Sequence, residues 1–184
     1  MRTAVVVLFL AVSAFAQDQS AITDAEAACG AKTVNFNADQ DATHHPTPQP
    51  DSGKALIYVI EDLGQCEGCA PSSNAFFTSV DQALTKVGMD GAWQGANRGS
   101  SYIFFVANPG EHHLCVNWQS RLEERSHAFA MANFTAEAGK IYYFRERVFP
   151  GHQGDYSFDL DAVNSDEGKY LVAVSAFSVS HPKK

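Results

Sequence analysis

From Lys54 onward the chain is a series of short apolar segments with period-two alternation, broken by turn residues. Lys54–Glu61 contains Leu56, Ile57, Tyr58, Val59 and Ile60, a continuous apolar run that predicts a strand buried on both faces. Asp90-Gly91 separates Thr85–Met89 from Ala92–Gly95 and predicts a tight hairpin. Ser100–Ala107 reads as a strand with Tyr102, Phe104 and Val106 on one face and Ile103 and Phe105 on the other. Asn108-Pro109-Gly110 then turns the chain into a strand over His112–Trp118. Ala128–Thr135, Ile141–Phe149 and Tyr156–Leu160 complete the set. Gly64–Ser73 reads as a loop, Arg121–Arg125 as a charged loop or helical turn, and Asn74–Leu84 suits either a short helix or an inserted hairpin arm.

Asn164-Ser165-Asp166-Glu167 places a cap and acids where a helix begins, and Tyr170–Phe177 continues it. Gly168 opposes a helix and the β-branched Val172 and Val174 would equally suit a strand. Many short strands without alternating βαβ units predict an all-β, antiparallel β-sandwich with one short C-terminal helix.

The first residues have a different pattern. Arg2 precedes the apolar run Ala4–Val12, and Ala14-Phe15-Ala16 supplies small residues before Gln17, so Met1–Ala16 reads as a signal peptide. The run is too short to span a bilayer, and no transmembrane segment is expected after cleavage. Cys29 lies well beyond that run, behind Asp24 and Glu26, which argues against lipid modification. Gln17–Gly53 reads as an N-terminal arm leading into a strap, where Pro46, Pro48 and Pro50 favour extended geometry. The expected organisation is therefore leader 1–16, arm and strap 17–53, sandwich 54–177 and tail 178–184. The location is periplasmic or secreted.

Composition agrees with this reading. Hydrophobic residues make up 45% and charged residues 18% of the 184, enough apolar surface for a core. The 13 Phe and 6 Tyr suit strands. A net charge of −8 disfavours nucleic acid or an anionic membrane as the main partner.

Export makes disulfides the expected state of Cys29, Cys66, Cys69 and Cys115. Four cysteines allow three pairings; a local Cys66–Cys69 bridge would leave Cys29 to join Cys115. Cys66-Glu67-Gly68-Cys69 sits in a Gly-rich loop without the strand-to-helix setting of a redox motif. His112 shares a strand face with Leu114, Val116 and Trp118 and reads as core. His113 shares the other face with Cys115, the one pairing that suggests a metal if the sulfur stays reduced. Asp159 and Asp161 share a face and would offer calcium a weak site, and Glu123-Glu124 reads as a solvated pair. Asn133-Phe134-Thr135 is a glycosylation sequon, relevant in a eukaryotic source. No Gly-x-Ser-x-Gly, His-Glu-x-x-His or phosphate-cradling loop is present, and no cofactor is expected.

Asp90-Gly91-Ala92-Trp93-Gln94-Gly95-Ala96-Asn97, Ser101-Tyr102 and Pro109-Gly110-Glu111-His112-His113-Leu114 together resemble the domain of unknown function 2846 family, in its exported bacterial form of acidobacterial type. Lys54–Val59, Ala136–Phe144 and Ser178-Val179-Ser180-His181-Pro182 extend the resemblance from Lys54 to the end, with Asn74–Leu84 as an insertion. The resemblance implies a prealbumin-like sandwich used for adhesion, scaffolding or binding, and carries no catalytic residues. The reading is a non-enzymatic envelope module that binds a protein or glycan. The Trp93–Arg98 turn is its expected binding edge, with Trp93, Asn97 and Arg98 as contacts and Trp118 as a further aromatic candidate. The alternative is a metal-binding or thiol-redox protein using Cys66, Cys69, Cys115 and His113.

Overall fold

A computed structural model describes residues 29–31, 33–62, 84–119, 129–150 and 156–184. Among them are ten strands and one helix: β1 (Phe36–Asp41), β2 (Ala55–Glu61), β3 (Leu84–Met89), β4 (Ala92–Arg98), β5 (Ser101–Ala107), β6 (Gly110–Gln119), β7 (Phe129–Ala136), β8 (Ile141–Pro150), β9 (Tyr156–Val163), α1 (Ser165–Val174) and β10 (Ala176–Pro182). They form a six-stranded sheet in the order β1-β10-β5-β2-β8-β9 and a four-stranded sheet in the order β4-β3-β6-β7. The described residues are all-β, two sheets with one short helix, as the alternation predicts.

The small sheet is antiparallel throughout. The large one is not: β2 runs parallel to β8 and β10 parallel to β5, which corrects the expected all-antiparallel arrangement. The reason is connectivity. Between β2 and β8 the chain crosses to the small sheet for β3 and β4, returns for β5 on one side of β2, and crosses again for β6 and β7, so β8 arrives on the other side of β2 running parallel to it.

The apolar run in β2 is buried on both faces, and its alternation supplies two cores. Ala55, Ile57 and Val59 point between the sheets with Val87, Leu114, Val116, Phe144 and Trp118. Leu56, Tyr58 and Ile60 point to the opposite side, where Tyr102, Tyr143, Leu171 and Val172 cover them. The Asp90-Gly91 hairpin forms as predicted, with φ of 52° and 80°, both in the left-handed region that a two-residue turn between twisted strands requires.

Two segments expected to lie outside the sandwich carry strand instead. Phe36–Asp41, from the arm and strap, pairs antiparallel with residues 177–182, most of the expected tail. The large sheet thereby curls past the β4 edge, and Phe36 and Ala38 pack on Ala96 across the small sheet's outer face. Side chains complete this seam. Ser178 Oγ donates to the Ala96 carbonyl at 2.7 Å and Ser180 Oγ accepts from the Ala96 N–H at 3.2 Å. The Gln119 amide makes reciprocal bonds with the Phe36 backbone at 2.6 and 2.7 Å. An edge strand whose polar backbone is answered in this way offers less to a stray partner.

The helix begins where the sequence places it. Asn164 caps it by accepting from the N–H groups of Asp166 and Glu167, each at 3.0 Å. It stops at Val174 rather than reaching Phe177, because Ala176–Phe177 enter β10. Gly168 is there for packing: a Cβ would fall inside contact distance of the Tyr143 ring, so only glycine lets α1 lie this close to β8. Gly168→Ala is expected to destabilise the protein by about 1–2 kcal/mol in urea titration, although alanine's helix propensity alone would add about 1 kcal/mol. A more stable variant would show that α1 is free to lift.

Candidate functional site

The three residues expected to form a binding edge do not share a surface. The indole N–H of Trp93 donates to the Ala31 carbonyl at 2.9 Å, Gly30 lies against its ring, and Lys86 Nζ sits 4.5 Å from the ring centroid. The N-terminal arm thus covers Trp93. Asn97 points the other way, is fully buried between the sheets, and donates to the Val59 carbonyl at 3.2 Å. Arg98 is half-buried and bonds the Ala38 carbonyl at 3.2 Å. Trp118 is also buried, edge-on to Phe158. Different parts of the fold thus engage these groups: the arm takes Trp93, the inter-sheet core takes Asn97 and Trp118, and β1 takes Arg98.

Cys29 and Cys115 form a disulfide with Cα atoms 5.2 Å apart, tying the arm to the outer face of β6. Cys66, Cys69 and Glu123-Glu124 lie outside the described residues. With the Cys115 sulfur in the bridge, the His113–Cys115 pair keeps an imidazole and no thiolate, and that imidazole contacts Asn133 Oδ1 at 2.7 Å. Among the described residues no group of three or more His, Cys, Asp and Glu side chains is placed to hold a metal ion. Asp159 and Asp161 do share a face, but both are taken by Arg147, at 3.3 and 2.6 Å.

His112 is core, as expected, and it is also clamped. Nδ1 lies 2.6 Å from Asp90 Oδ2 and Nε2 lies 2.7 Å from the Asn108 carbonyl. Both partners are acceptors, so both nitrogens carry protons and neither keeps a lone pair for base chemistry or a metal. Burial works against the imidazolium, yet the bonds to Asp90 and Asn108 hold the His112 pKa above its ordinary value. Burial likewise opposes the Asp90 anion, and the bonds from the His113 N–H and His112 outweigh it, leaving Asp90 low. The pair fastens the β3–β4 turn to the β5–β6 turn.

A concave site among the described residues lies elsewhere. Between α1, the outer face of the large sheet and the proline strap is a cavity of about 470 Å³. Tyr58 and Tyr143 line it as a stacked pair, ring centroids 5.2 Å apart and 14° from parallel. Ile141, Val172 and Ala173 add apolar wall, and His45, Thr47, Gln49 and Lys169 bring polar groups. The strap alternates: Pro46, Pro48 and Pro50 are half-buried while His45, Thr47 and Gln49 are exposed. Its anchors are specific. Tyr102 donates its hydroxyl to the Pro46 carbonyl at 3.2 Å. Asp41 Oδ1 accepts from the Thr43 and His44 N–H groups and from Thr43 Oγ1, at 2.7–3.1 Å. With the side-chain bond from Thr43 foremost, these contacts hold the exposed Asp41 carboxyl far below the usual carboxylate range.

Burial pushes the Tyr58 and Tyr102 hydroxyls up to about 12 and raises Tyr143 as well. The tyrosines lining this face therefore stay neutral in any ordinary medium and offer hydroxyl donors, with no nucleophile or base among them. The sequence places Tyr58 and Tyr143 in strands and the three prolines in an extended strap, without bringing them together. The available signal was three prolines spaced to lie along a surface. No protein-family model, curated protein or solved structure matches the chain.

Proposed function

We propose that this chain is an exported, non-enzymatic β-sandwich module of the bacterial envelope, related to the domain of unknown function 2846 family and prealbumin-like in arrangement, which binds a glycan in the strap-roofed cavity. The observation that carries the reading is the stacked Tyr58–Tyr143 pair lining a cavity that also presents Thr47, Gln49, His45 and Lys169. A sugar ring has the same two characters, an apolar C–H face and a rim of hydroxyls, so aromatic surface beside small polar groups is complementary to it. A volume of about 470 Å³ suits one or two sugar rings. The non-enzymatic reading is supported by tyrosines held neutral and a histidine with both nitrogens engaged. The thiol and metal alternative loses Cys115 to the bridge.

Titration of the purified chain with mono- and disaccharides and envelope glycan fragments, followed by NMR, tests this. Saturable shifts are expected at millimolar concentration or below, with loss of at least tenfold in affinity in Ala173→Phe, whose side chain fills the cavity from the exposed face of α1. Absence of saturable binding by every saccharide, or equal binding by Ala173→Phe, would overturn it.

A further inference from the structure

Two fully buried carboxyl groups lie side by side in the inter-sheet core. Glu61 in β2 and Glu146 in β8 are direct partners in the parallel register, and each is 0% exposed. Direct partners project to the same side of a sheet, here the side of Val59 and Phe144. Across the gap stands a second row: Asn97, Thr85 and Trp118 are successive partners through β4, β3 and β6, all buried. Neither carboxyl oxygen of Glu146 makes a hydrogen bond of good geometry among the described residues, and Thr85 and Asn97 are the polar groups that act on it.

The charged groups of the surrounding strands point away. Lys86 of β3 reaches the Val34 carbonyl and Arg98 of β4 the Ala38 carbonyl, both on the small sheet's outer side. Arg145 and Arg147 of β8 bond Glu167, Asp159 and Asp161 on the large sheet's outer side. Neighbouring β9 gives this core Phe158 and Leu160, and its two aspartates face outward with Arg147. Among the described residues, the groups facing Glu146 are thus Glu61, Thr85, Asn97 and Trp118, none of them cationic.

We propose that Glu146 keeps its proton at neutral pH, so that the Glu61–Glu146 pair holds at most one negative charge, and that losing this proton in alkali loosens the sandwich around this β2–β8 pair. Two adjacent anions in a water-poor interior repel one another with little screening, and a neutral acid avoids both that repulsion and the cost of burying a second charge. Burial raises Glu146 from 4.5 to about 8, against the weaker influence of Thr85 and Asn97, which favours its anion. The sign follows. A carboxyl whose folded value lies above its unfolded one stabilises the fold fully below about pH 4.5, and that contribution is lost as pH rises through about 8.

Thermal unfolding and infrared spectra of the full chain, from about pH 5 to 9, test the proposal. The wild-type midpoint is expected to fall across this range by on the order of 10 °C relative to Glu146→Gln, which keeps the shape without titrating. At pH 7 the wild type should show a protonated carboxyl stretch that Glu146→Gln removes. Should Glu146→Gln not fold, Glu61→Gln serves: with the neighbouring carboxyl neutral, the band should disappear at a lower pH than in the wild type. A wild type without that band at pH 7, parallel pH profiles for wild type and Glu146→Gln, or a band unmoved in Glu61→Gln would overturn the proposal.

Discussion

Replacing Cys29 and Cys115 together by alanine is expected to lower the unfolding free energy by about 4–5 kcal/mol, the largest effect of any local change considered for this fold. The bridge spans 86 residues, and closing a loop of that size restricts the unfolded chain strongly. The structure adds a packing term to this entropy. The Cys29 carbonyl lies so close to Gly88 that no side chain fits between them, and Ala31 takes the indole N–H of Trp93. Without the bridge the arm has its few contacts to hold it, and local release should precede global unfolding. Guanidinium titration of oxidised wild type against the double variant measures the first effect. Trp93 fluorescence measures the second, since emission should move to longer wavelength as water reaches the indole. A loss below about 1 kcal/mol with unchanged emission would show that the arm is held independently of sulfur.

Tyr58→Ala is expected to cost about 3–5 kcal/mol and to abolish cavity binding. Tyr58 is 2% exposed and touches Tyr102 at 6.0 Å, Phe104 at 5.7 Å and Tyr143 at 5.2 Å between ring centroids. Truncation would leave a void beneath the strap that neighbouring rings, themselves packed on Phe177, cannot collapse to fill. Tyr58→Phe separates the two consequences. It keeps the ring and should retain most of the stability, while any ligand bond made by the hydroxyl is lost. Urea unfolding and saccharide titration on both variants give the readout. Stability near wild type in Tyr58→Ala would mean that the second core is not load-sharing with the first.

How much of this was legible depends on which residues speak locally. The run in β2, the Asp90-Gly91 turn and the Asn164 cap declare themselves because short-range geometry decides them: alternation, positive φ and a side-chain acceptor near free N–H groups. The pairing of β1 with β10 is not local. Neither FNADQD nor AFSVSHP carries a continuous apolar run, and each becomes a strand through its partner and through Ser178, Ser180 and Gln119 reaching across the seam. The parallel pairing of β2 with β8 is similarly a property of the path between them.

For the site, residue type was a partial guide. Trp93 and Arg98 look like contacts in isolation, yet the arm and β1 cover them, and a covering segment far away in sequence leaves no mark on the residues it covers. Glu61 ends the apolar run of β2 while Glu146 sits between two arginines in β8, and only the register makes them neighbours. His112 was legible as core from its alternation with Leu114, Val116 and Trp118, whereas its clamp required the turn beside it.

The seam between β1 and β10 has a temporal consequence. Phe36 pairs with Pro182 and Asp41 with Phe177, so the earliest strand of the large sheet has as its neighbour the last one to be synthesised. A ribosome delivers the chain in one direction, and until the final seven-residue strand emerges β1 has no hydrogen-bonding neighbour and the β4 seam stays open. Completion of this sheet therefore waits for a pairing between strands far apart in sequence, which places the closing of the seam late in folding.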